Sequence, residues 1–403
     1  MTVTVEKSSA SGKITAPPSK SMAHRSLICA ALSEGESRIF NIDYSNDIKA
    51  TVNCLTEMGA VIKKTGNGVS VRGIDFKKAP KAPLDCLESG STLRFLIPIC
   101  LGFDYPVTLK GTEKLFSRSL GVYEQIFKKC GVDYNITSDS ITLNGNLGGG
   151  EYRVSGKISS QFISGLLFAL PTKETDSTIV ITDKLESAPY VDMTIEVLRR
   201  FGIEIQKSGN KKYFIKGGQK YKATDYTVEG DYSNAAFLDA LNLLGSSVEV
   251  CGLSNGSLQG DRVYKQYFDR LNSGFSKISI SDCPDLALIL MAVAAEKHGA
   301  EFVGTERLKI KESDRGNAMA EELSKFGAEV SVENDRIIVK KSTLHIPDLP
   351  INSHNDHRIV MAAAVLLTKY GGTIENSEAV NKSFPDFFEK LQQLGIKVKK
   401  ECL

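Results

Sequence analysis

The hydrophobic and polar positions of this chain form a pattern that recurs six times. In each copy an amphipathic helix ends at a glycine, and a short alternation of polar and apolar residues typical of a strand follows, as in LTEMG-AVIKK. The glycines are Gly59, Gly131, Gly202, Gly274, Gly327 and Gly395. Glycine suits this place because it adopts the left-handed conformation without steric cost. Six ordinary helix ends would account for the glycines, but not for gaps of 72, 71, 72, 53 and 68 residues. The spacing predicts six similar repeats in two groups of three.

A second class of helix is apolar on almost every side. The segments are LICAALSEG, ISGLLFALP, LALILMAVAAEKHG and IVMAAAVLLTKYGG. Helices of this kind belong inside a protein. Segments such as YFIKGG, TIVITD and SVEVCG alternate instead, which is typical of strands with one buried face. The pattern therefore predicts an α/β fold with buried helices inside and sheets outside.

Length and composition favour two folded domains. A chain of 403 residues exceeds one ordinary core, and its 41% apolar and 24% charged residues are typical of a globular protein. The polar, turn-rich stretch GGQKYKATDYTVEGDYSN lies between the third and fourth repeats. We therefore place a domain boundary near Val228.

The overall charge favours small anions over large anionic partners. Fifty basic and 48 acidic side chains leave a net charge of +2, which gives no general field for nucleic acid or an anionic membrane. The start of the chain has no signal-peptide pattern, and no apolar run reaches the roughly 18 residues that a membrane helix needs. A cytoplasmic location is expected. The eight cysteines form no C-x-x-C pair, so we interpret them as small buried apolar residues.

Most of the apolar helices begin with a polar segment, and most of these segments carry basic residues. These segments are PPSKSMAHR, ESGSTLR, SGKISSQF, SDCPDLA, ESDRGNA and NDHRIV. Taken singly, each is best interpreted as an ordinary helix cap. Taken together, several helix N-termini bearing lysine and arginine favour a site for phosphates and carboxylates. The basic residues are Lys20, Arg25, Arg94, Lys311, Arg315 and Arg358. A charge so close to an apolar core is costly without a partner, and a bound anion would supply one.

Two carboxylates share this setting, Asp285 in CPDLALIL and Glu312 in KESDR. Each alone is an ordinary first-turn acid. As a pair in a basic site, they have the chemistry of a general base and a general acid. His354 and His357 lack the neighbouring ligands of a metal site, and no phosphate-binding glycine loop is present, so we expect neither a metal nor a nucleotide cofactor.

Nine motifs in order give the chain a family resemblance. They are PPSKSMAHRSL, ESGSTLRFL, GTEKLFSRSL, SSQFISGLL, ESAPYVDMT, CPDLALIL, KIKESDR, NDHRI and NKSFPDFFEKL, and the matches run from about residue 12 to 390. Together they closely resemble the 5-enolpyruvylshikimate-3-phosphate synthases. The resemblance implies a two-domain inside-out α/β barrel, with three βαβαββ repeats per domain and the ligands in the cleft between the domains. It assigns residues 14–227 to the N-terminal domain, and residues 1–13 with 228–403 to the C-terminal domain.

The resemblance also implies two small-molecule substrates. The residues that match contacts to shikimate 3-phosphate are Lys20, Ser21, Arg25, Ser159, Ser160, Gln161, Ser187, Tyr190, Asp285 and Lys311. Those that match contacts to phosphoenolpyruvate are Lys20, Gly90, Arg118, Gln161, Arg315, Arg358 and Lys382. Arginine suits the second group because its planar fork matches carboxylate and phosphate oxygens.

The family's reaction is an addition followed by an elimination. Asp285 matches the base that takes the proton of the substrate 5-hydroxyl, and Glu312, with Lys20 nearby, matches the acid that protonates the methylene carbon. Phosphate then leaves. The resemblance implies a monomer that works without a metal or cofactor and closes around its substrates. We also predict that the herbicide glyphosate competes with phosphoenolpyruvate, because Gly90 leaves room where a larger side chain would intrude.

Two positions depart from the family pattern. Glu88 stands where asparagine often precedes the glycine, and Arg307 stands where an asparagine contacts the shikimate phosphate, so we assign Arg307 no role. The sister enolpyruvyl transferase that acts on UDP-N-acetylglucosamine is an alternative. That family has a reactive cysteine in a mobile loop, which GTEKLFSRSL lacks. A non-catalytic anion-binding protein would be expected to lack Asp285 or Glu312.

Overall fold

The computed structural model describes residues 1–401, which form two compact units. The first unit is Pro18–Glu229, and the second combines Met1–Pro17 with the chain from Gly230 onward. Each unit has its own hydrophobic core. The domain boundaries inferred from the sequence and the family resemblance lie between residues 13 and 14 and between residues 227 and 228.

The elements alternate between helices and short strands. The α-helices of the described residues, α1 to α13, are Lys20–Leu32, Asn46–Glu57, Gly90–Cys100, Glu113–Phe116, Gly121–Cys130, Ser160–Ala169, Ala188–Arg200, Tyr232–Leu243, Tyr264–Ser273, Ala287–Glu296, Arg315–Ser324, His357–Tyr370 and Phe387–Gln393. The strands, β1 to β22, are Thr2–Val5, Ser11–Thr15, Glu36–Phe40, Val61–Thr65, Gly68–Arg72, Leu84–Asp85, Val107–Lys110, Asp133–Ile136, Ser140–Asn144, Gly150–Val154, Ser177–Ile181, Ile205–Ser208, Lys212–Ile215, Tyr226–Thr227, Ser247–Cys251, Ser276–Ser279, Ala300–Val303, Val330–Val332, Arg336–Val339, Ile351–Asn352, Gly372–Glu375 and Val398–Glu401. Short 3-10 helices cover Leu170–Thr172, Gly260–Val263, Pro284–Leu286, Glu306–Ile310 and Ser377–Lys382.

The strands form three sheets in each unit, and the four-stranded sheets share one topology. Their strand orders are β14-β3-β5-β4, β6-β7-β9-β8 and β10-β11-β13-β12 in the first unit, and β16-β17-β19-β18 and β20-β21-β1-β22 in the second. Each has one parallel pair followed by antiparallel neighbours. A parallel pair needs a crossover, and a buried helix supplies it between β6 and β7, β10 and β11, β16 and β17, and β20 and β21, as a βαβαββ repeat requires. The parallel strands β3 and β14 are instead joined by the rest of the first unit. None of these sheets in the described residues closes into a barrel.

The N-terminal strand completes the last repeat. Strand β1 lies antiparallel to both β21 and β22, with Val3 opposite Ile374 and Lys400. The start and the end of the chain therefore share one sheet. Hydrophobic periodicity along the sequence gives no signal for this pairing, because its partners are more than 360 residues apart.

The fourth repeat lacks its hairpin. Its sheet is the parallel pair β2 and β15, and helix α9 leads directly into β16, the first strand of the next repeat. The expectation that Gly274 adopts a left-handed conformation is wrong, because its φ of 163° is extended backbone. The other five repeat glycines have φ between 67° and 106°, as predicted. The missing hairpin also explains why the next glycine follows after only 53 residues.

The first helix of each repeat forms the interior, which confirms the predicted α/β fold with buried helices. In α10, every residue from Ala287 to Ala295 is buried, and α1, α3, α6, α8 and α12 are buried along most of their length. Strands such as Ser177–Ile181 alternate between buried and half-buried residues, as a sheet with one covered face requires. Among the described residues, no helix is both long and apolar enough to cross a membrane.

The cysteines of the described residues are free thiols. Those at 29, 54, 86, 100 and 283 are buried as predicted, whereas Cys130 and Cys251 are only partly buried. Cys402 lies outside the described residues.

Candidate active site

Lys20 begins helix α1 of the first unit and is anchored by an acid on the next helix. Its Nζ lies 2.7 Å from Oδ2 of Asp47, and both side chains are largely withdrawn from solvent. A proline pair precedes the helix, where Pro18 favours an extended conformation at Pro17, and the cap residue Ser19 is extended as well. The ammonium group is therefore held at the polar mouth of a helix whose body is apolar.

Arg25 lies one turn further along the same helix and is buried. Nε donates to the Thr194 hydroxyl at 2.8 Å, and the other two nitrogens donate to the carbonyls of Ser21 and Tyr190. The guanidinium also lies over the ring of Phe95, 5.2 Å from its centroid. Burial lowers the pKa of Arg25 to about 10, which leaves it charged at neutral pH. Within residues 1–401, the contacts of this buried cation are with neutral groups, an arrangement that favours a nearby anion.

A second basic group surrounds the N-terminus of α3. The side-chain oxygen of Gln161 accepts a hydrogen bond from Arg94 at 2.7 Å, and its amide donates to Ser91 at 3.0 Å. A Cβ atom added at Gly90 would lie 3.2 Å from Arg94 Nη1, 3.4 Å from Arg118 Nη1 and 3.7 Å from Gln161 Oε1. Because Gly90 has no side chain, the backbone N–H groups at the start of this helix stay uncovered beside two guanidinium groups. A helix N-terminus of this kind binds anions.

The close packing of α3 and α6 positions Arg94 and Gln161 side by side. A Cβ at Gly165 would lie 2.5 Å from the Arg94 carbonyl oxygen and 2.2 Å from the Tyr123 hydroxyl, far inside contact distance. That hydroxyl already donates to the Arg94 carbonyl at 2.6 Å. Only glycine permits this approach.

Hydroxyl residues stand at the starts of two other helices of this unit. Ser159 caps α6 by accepting from the backbone N–H of Gln161, and Ser160 is the first residue of that helix. Ser187 precedes α7 with a left-handed φ of 55°. The Tyr190 carbonyl accepts from Arg25, which joins this helix to α1.

A buried hydrogen-bonded chain, which the sequence did not suggest, connects three helices of the first unit. His24 Nδ1 lies 2.7 Å from the Thr51 hydroxyl, which lies 2.7 Å from that of Thr92. The Thr92 hydroxyl donates to Ser89, the cap of α3. Burial, with Lys20 and Arg25 nearby, holds the pKa of His24 well below its usual range, so the ring is neutral. The chain ties the helices that carry Lys20, Asp47 and Gly90.

Asp285 lies at the centre of the second unit's charged cluster. Its Oδ1 is 2.8 Å from Arg315 and 3.6 Å from Lys311, and its Oδ2 is 3.0 Å from Arg358. A 3-10 turn, Pro284–Leu286, presents this carboxylate at the head of the buried helix α10. The carboxylate keeps about a fifth of its surface exposed, so a substrate can reach it.

Arg315 is buried and contacts three carboxylates. Besides Asp285, it donates to Glu312 at 2.7 Å and to Asp356 at 2.8 Å. Burial lowers the pKa of Arg315, but Asp356, Glu312 and Asp285 outweigh that effect and raise it well above its usual range. The expectation that the cations at the helix mouths lack protein partners is therefore wrong for Arg315 and Arg358. It is also wrong for Lys20, which pairs with Asp47, and for Lys311, which lies beside Asp285.

The same contacts shift two further pKa values. Burial would raise the pKa of Asp285, but Arg358, Lys311 and Arg315 hold it well below its usual range. Burial lowers the pKa of Lys311 to about 8, aided by the positive charges of Arg307 and Arg315 and opposed by Asp285. Arg307 itself is buried on the 3-10 helix Glu306–Ile310.

Lys382 and Arg358 complete the cationic side of this cluster. Lys382 Nζ donates to the Asn355 carbonyl at 2.6 Å. Arg358 donates to the Asp285 carbonyl at 2.9 Å and to the Ser233 hydroxyl at 3.1 Å. Arg315 on α11 and Arg358 on α12 therefore contact Asp285 from two helices.

The structure distributes the predicted site residues over the two units. The first unit carries Lys20, Ser21, Arg25, Gly90, Arg118, Ser159, Ser160, Gln161, Ser187 and Tyr190, and the second carries Asp285, Lys311, Glu312, Arg315, Arg358 and Lys382. Sequence reasoning missed the roles of Asp47 and Asp356, which pair with Lys20 and Arg315. The available signal was the acid at the start of each neighbouring helix, since a buried cation requires a partner.

Comparisons with known proteins agree along the whole chain. The family model "EPSP synthase (3-phosphoshikimate 1-carboxyvinyltransferase)" matches residues 5–391. The 3-phosphoshikimate 1-carboxyvinyltransferase of Clostridium acetobutylicum is 44% identical, with 95% of each chain covered. That of Clostridium kluyveri is 40% identical, covering 98% of this chain and 97% of the relative.

Solved structures share the fold. An EPSP synthase from Acinetobacter baumannii aligns with a TM-score of 0.80 at 24% identity, over 99% of this chain and 100% of the other. The enolpyruvyl transferase NikO from Streptomyces tendae aligns with a TM-score of 0.73 at 14% identity, over 99% and 98%. The structural likeness alone describes the fold, whereas the family model and the Clostridium relatives cover the motifs that carry the charged clusters. The chain belongs to the EPSP synthase (3-phosphoshikimate 1-carboxyvinyltransferase) family.

Proposed function

We propose that this protein transfers the enolpyruvyl group of phosphoenolpyruvate to the 5-hydroxyl of shikimate 3-phosphate. The products are 5-enolpyruvylshikimate 3-phosphate and phosphate, and the reaction belongs to the shikimate pathway that leads to chorismate and the aromatic amino acids. The observation that supports this most is the position of Asp285, a partly exposed carboxylate held by Arg315, Arg358 and Lys311 beside Glu312.

The arginines of the second unit are arranged to hold a carboxylate. Arg315 contacts one oxygen of Asp285 and Arg358 contacts the other, so the two guanidinium groups already share one carboxylate. We assign the carboxylate and phosphate of phosphoenolpyruvate to these arginines and Lys382, with Lys20, Gly90, Arg118 and Gln161 contributed by the first unit. Charge-assisted and bidentate contacts of this type are the strong ones in anion recognition.

Shikimate 3-phosphate is assigned to the hydroxyl-rich helix starts of the first unit. Its contacts there are Lys20, Ser21, Arg25, Ser159, Ser160, Gln161, Ser187 and Tyr190, and those of the second unit are Asp285 and Lys311. Arg25 supports this assignment because it is a buried cation that donates its hydrogen bonds to a neutral hydroxyl and two neutral carbonyls. The serines supply short hydroxyl donors that suit phosphate and ring hydroxyl oxygens.

The pKa values suggest how the reaction is switched on. With its pKa held low, Asp285 is a poor base while Arg315 and Arg358 contact it. The carboxylate of phosphoenolpyruvate competes for these cations, and burial then raises the pKa of Asp285 toward that of a useful base. Asp285 takes the proton of the 5-hydroxyl of shikimate 3-phosphate. At the same time, the oxygen of that hydroxyl bonds to carbon 2 of phosphoenolpyruvate.

Protonation of the methylene carbon completes the addition. Glu312, with Lys20 contributed by the first unit, supplies this proton and gives a tetrahedral intermediate with a new methyl group. In the elimination, phosphate leaves carbon 2 and the methyl group gives one proton back to the acid that supplied it. This loss regenerates the carbon–carbon double bond. Arginine and lysine side chains stabilise the negative charge, and no metal or cofactor enters the proposed steps.

Phosphate release tests the proposal. Purified protein given phosphoenolpyruvate should release phosphate with shikimate 3-phosphate and not with UDP-N-acetylglucosamine. Release with the nucleotide sugar alone would assign the protein to the sister activity, which the family match does not favour. Silence with both acceptors would favour a binding role. We also infer a cytoplasmic monomer without nucleic-acid or membrane partners, which sedimentation of the purified protein and fractionation of cells would test.

A further inference from the structure

One short segment of the second unit contacts two of the cations that this unit contributes to the proposed phosphoenolpyruvate site and carries the third. The carbonyl of Asn355 accepts from Lys382 at 2.6 Å, and the carboxylate of Asp356 contacts Arg315 at 2.8 Å. Arg358 lies at the end of the segment, where its backbone N–H donates to Asp356 at 2.9 Å. The conformation of residues 352–358 therefore sets the positions of three cations at once.

The backbone of this segment is strained. His354 and Asn355 both adopt the left-handed conformation, with φ of 49° and 54°. Asparagine tolerates this conformation, but two such residues in succession persist only where surrounding contacts hold them. Without a restraint, the chain would relax, and the Asn355 carbonyl and the Asp356 carboxylate would turn away from their cations.

A buried carboxylate on α11 supplies that restraint. Glu322 is almost fully buried, and its Oε1 lies 2.7 Å from Nε2 of His354. Its Oε2 accepts from the backbone N–H of Asn352 at 2.9 Å and from Lys325 at 2.7 Å. The amide of His354 also donates to the Asn352 side chain at 2.8 Å. The strained residue is therefore held through both its ring and its backbone.

The same helix carries Arg315 at its other end. Arg315 and Glu322 are separated by seven residues, or about 10 Å along a helix. Arg315 contacts Asp356 while Glu322 contacts His354, so α11 and the segment are joined at two points. A change at the Glu322 end is transmitted to the Arg315 end through two short, rigid pieces of chain.

We propose that Glu322 and His354 form a clasp that positions the phosphoenolpyruvate subsite. This inference rests on the proposed function. Neither residue is assigned a contact with substrate, so both act as positioning residues. The clasp holds His354 in its left-handed conformation. As a consequence, the cations Arg315, Arg358 and Lys382 keep their positions relative to one another.

A metal ion is the competing interpretation of these side chains. Ligand atoms of Glu321, Glu322 and His354 lie within 4.8 Å of one another. Glu322, however, already accepts from His354, Asn352 and the ammonium of Lys325. A cation beside that ammonium would be repelled, and the carboxylate would have to give up a hydrogen bond to ligate it. These contacts favour the clasp.

Steady-state kinetics of His354→Ala, His354→Gly and Glu322→Gln test the clasp. We expect the KM for phosphoenolpyruvate to rise about 10-fold or more, since small misplacements of binding groups have large effects, while the KM for shikimate 3-phosphate changes less than about 2-fold. His354→Gly removes the backbone strain together with the ring, so it should not restore the wild-type KM. Wild-type KM values for phosphoenolpyruvate in His354→Gly would overturn the proposal.

Glu296→Gln is a matched control for loss of a buried carboxylate. Glu296 is nearly buried in the same unit and contacts Lys369 and Tyr370, at the opposite end of α12 from Arg358. This variant should lose stability but keep both KM values. A rise in the KM for phosphoenolpyruvate equal to that of Glu322→Gln would show a general structural effect and overturn the clasp. If added zinc or EDTA changes the KM for phosphoenolpyruvate of the wild type, but not that of His354→Ala, the metal site would be favoured instead.

Nitrogen-15 NMR of the histidine rings tests the contact without reference to activity. The chain has five histidines, and His354→Ala assigns the signal of interest. We expect a protonated, slowly exchanging Nε2 at His354, because that atom donates to Glu322. An unprotonated Nε2 would overturn the clasp. If the wild-type protein showed no turnover, the proposed function would be wrong. The NMR measurement would then still test whether His354 donates to Glu322.

Discussion

Arg358 holds Asp285 at two points. One terminal nitrogen lies 3.0 Å from the carboxylate, and the other donates to the backbone carbonyl of the same residue at 2.9 Å. The acid is thus fixed both in its side chain and in the turn that presents it. In the absence of substrate, the proposed base therefore occupies the cations that are assigned to phosphoenolpyruvate, and binding and activation of the base become linked.

Asp285→Asn should retain the fold but lose most turnover. Asparagine preserves the shape of the side chain, and Arg315 keeps its contacts with Glu312 and Asp356. Arg358 loses its ion pair with Asp285 but keeps its hydrogen bonds to the backbone carbonyl of residue 285 and to the Ser233 hydroxyl. We expect kcat to fall at least ~100-fold, the usual contribution of a general base. Phosphate release and circular dichroism measure the two effects. Wild-type turnover would remove Asp285 from the mechanism, and Asp285→Ala should behave in the same way.

Lys20→Met should nearly abolish turnover without unfolding the protein. Methionine keeps most of the apolar stem of lysine but removes the ammonium that pairs with Asp47. The remaining acid is partly exposed, so we expect a stability loss of about 1–3 kcal/mol. The matched variant Asp47→Asn tests anchoring alone and should retain more activity than Lys20→Met. Equal activity in wild type and Lys20→Met would exclude a catalytic role for the ammonium.

The sequence predicted the buried helices and the repeat because both are properties of continuous segments. Helices such as Ala287–Glu296 are apolar throughout, and five repeat glycines terminate helices as expected. The missing hairpin after Gly274 was visible only as a short gap in the spacing. The β1 pairing was outside the reach of periodicity, because it joins opposite ends of the chain.

The charged residues of the candidate site were found more readily than their partners. Arg315 and Arg358 stand in recognisable motifs at helix starts, which is a local signal. The contact between Arg315 and Asp356 joins residues 41 apart, and that between Lys20 and Asp47 joins residues 27 apart. Such pairs depend on how the helices pack, and a single sequence does not encode them as a pattern.

The KM for shikimate 3-phosphate should rise above about pH 8. Burial lowers the pKa of Lys311 to about 8, so this side chain loses its charge as the pH passes that value. A neutral lysine attracts a phosphate less strongly. The arginine of Lys311→Arg stays charged throughout this range. The KM of this variant for shikimate 3-phosphate should therefore not change between pH 7 and 9, even if its value at pH 7 differs from that of the wild type. A wild-type KM that is independent of pH over this range would contradict the assignment.

The same shift has a consequence for stability. The folded-state pKa of Lys311 lies below the value of an unfolded lysine, so the unfolded chain binds the extra proton between about pH 8 and 10.4. The contribution of Lys311 to the free energy of unfolding should therefore increase over that interval. Lys311→Met should lack this increase in denaturant titrations.

Gly90→Ala should weaken both phosphoenolpyruvate and glyphosate binding. The wild-type enzyme should be inhibited by glyphosate in competition with phosphoenolpyruvate, and full activity at millimolar inhibitor would refute this. The added methyl group would approach Arg94 and Arg118 only at their flexible ends, 3.2 Å and 3.4 Å away, so the fold should survive. The methyl group would nonetheless occupy space beside the open helix end. Unchanged inhibition in Gly90→Ala would show that the inhibitor does not bind there.

Gly165→Ala should disturb the same basic group through the backbone. Its methyl group would lie 2.5 Å from the Arg94 carbonyl and 2.2 Å from the Tyr123 hydroxyl, and neither the helix backbone nor the buried ring can yield easily. We expect a loss of about 1–3 kcal/mol in the free energy of unfolding, as is usual for overpacking a core. Separation of α3 from α6 would also lengthen the 2.7 Å hydrogen bond between Arg94 and Gln161, so the KM for phosphoenolpyruvate should rise.

The variant Tyr123→Phe separates the two effects of Gly165→Ala. It removes the hydroxyl that the new methyl group would meet first, at the cost of the hydrogen bond to the Arg94 carbonyl. If steric overlap is the cause, Gly165→Ala should be less destabilising in the Tyr123→Phe background than in the wild type. Additive losses in the double variant would show that overlap with the Tyr123 hydroxyl is not the cause, and would leave the clash with the Arg94 carbonyl as the source of the instability.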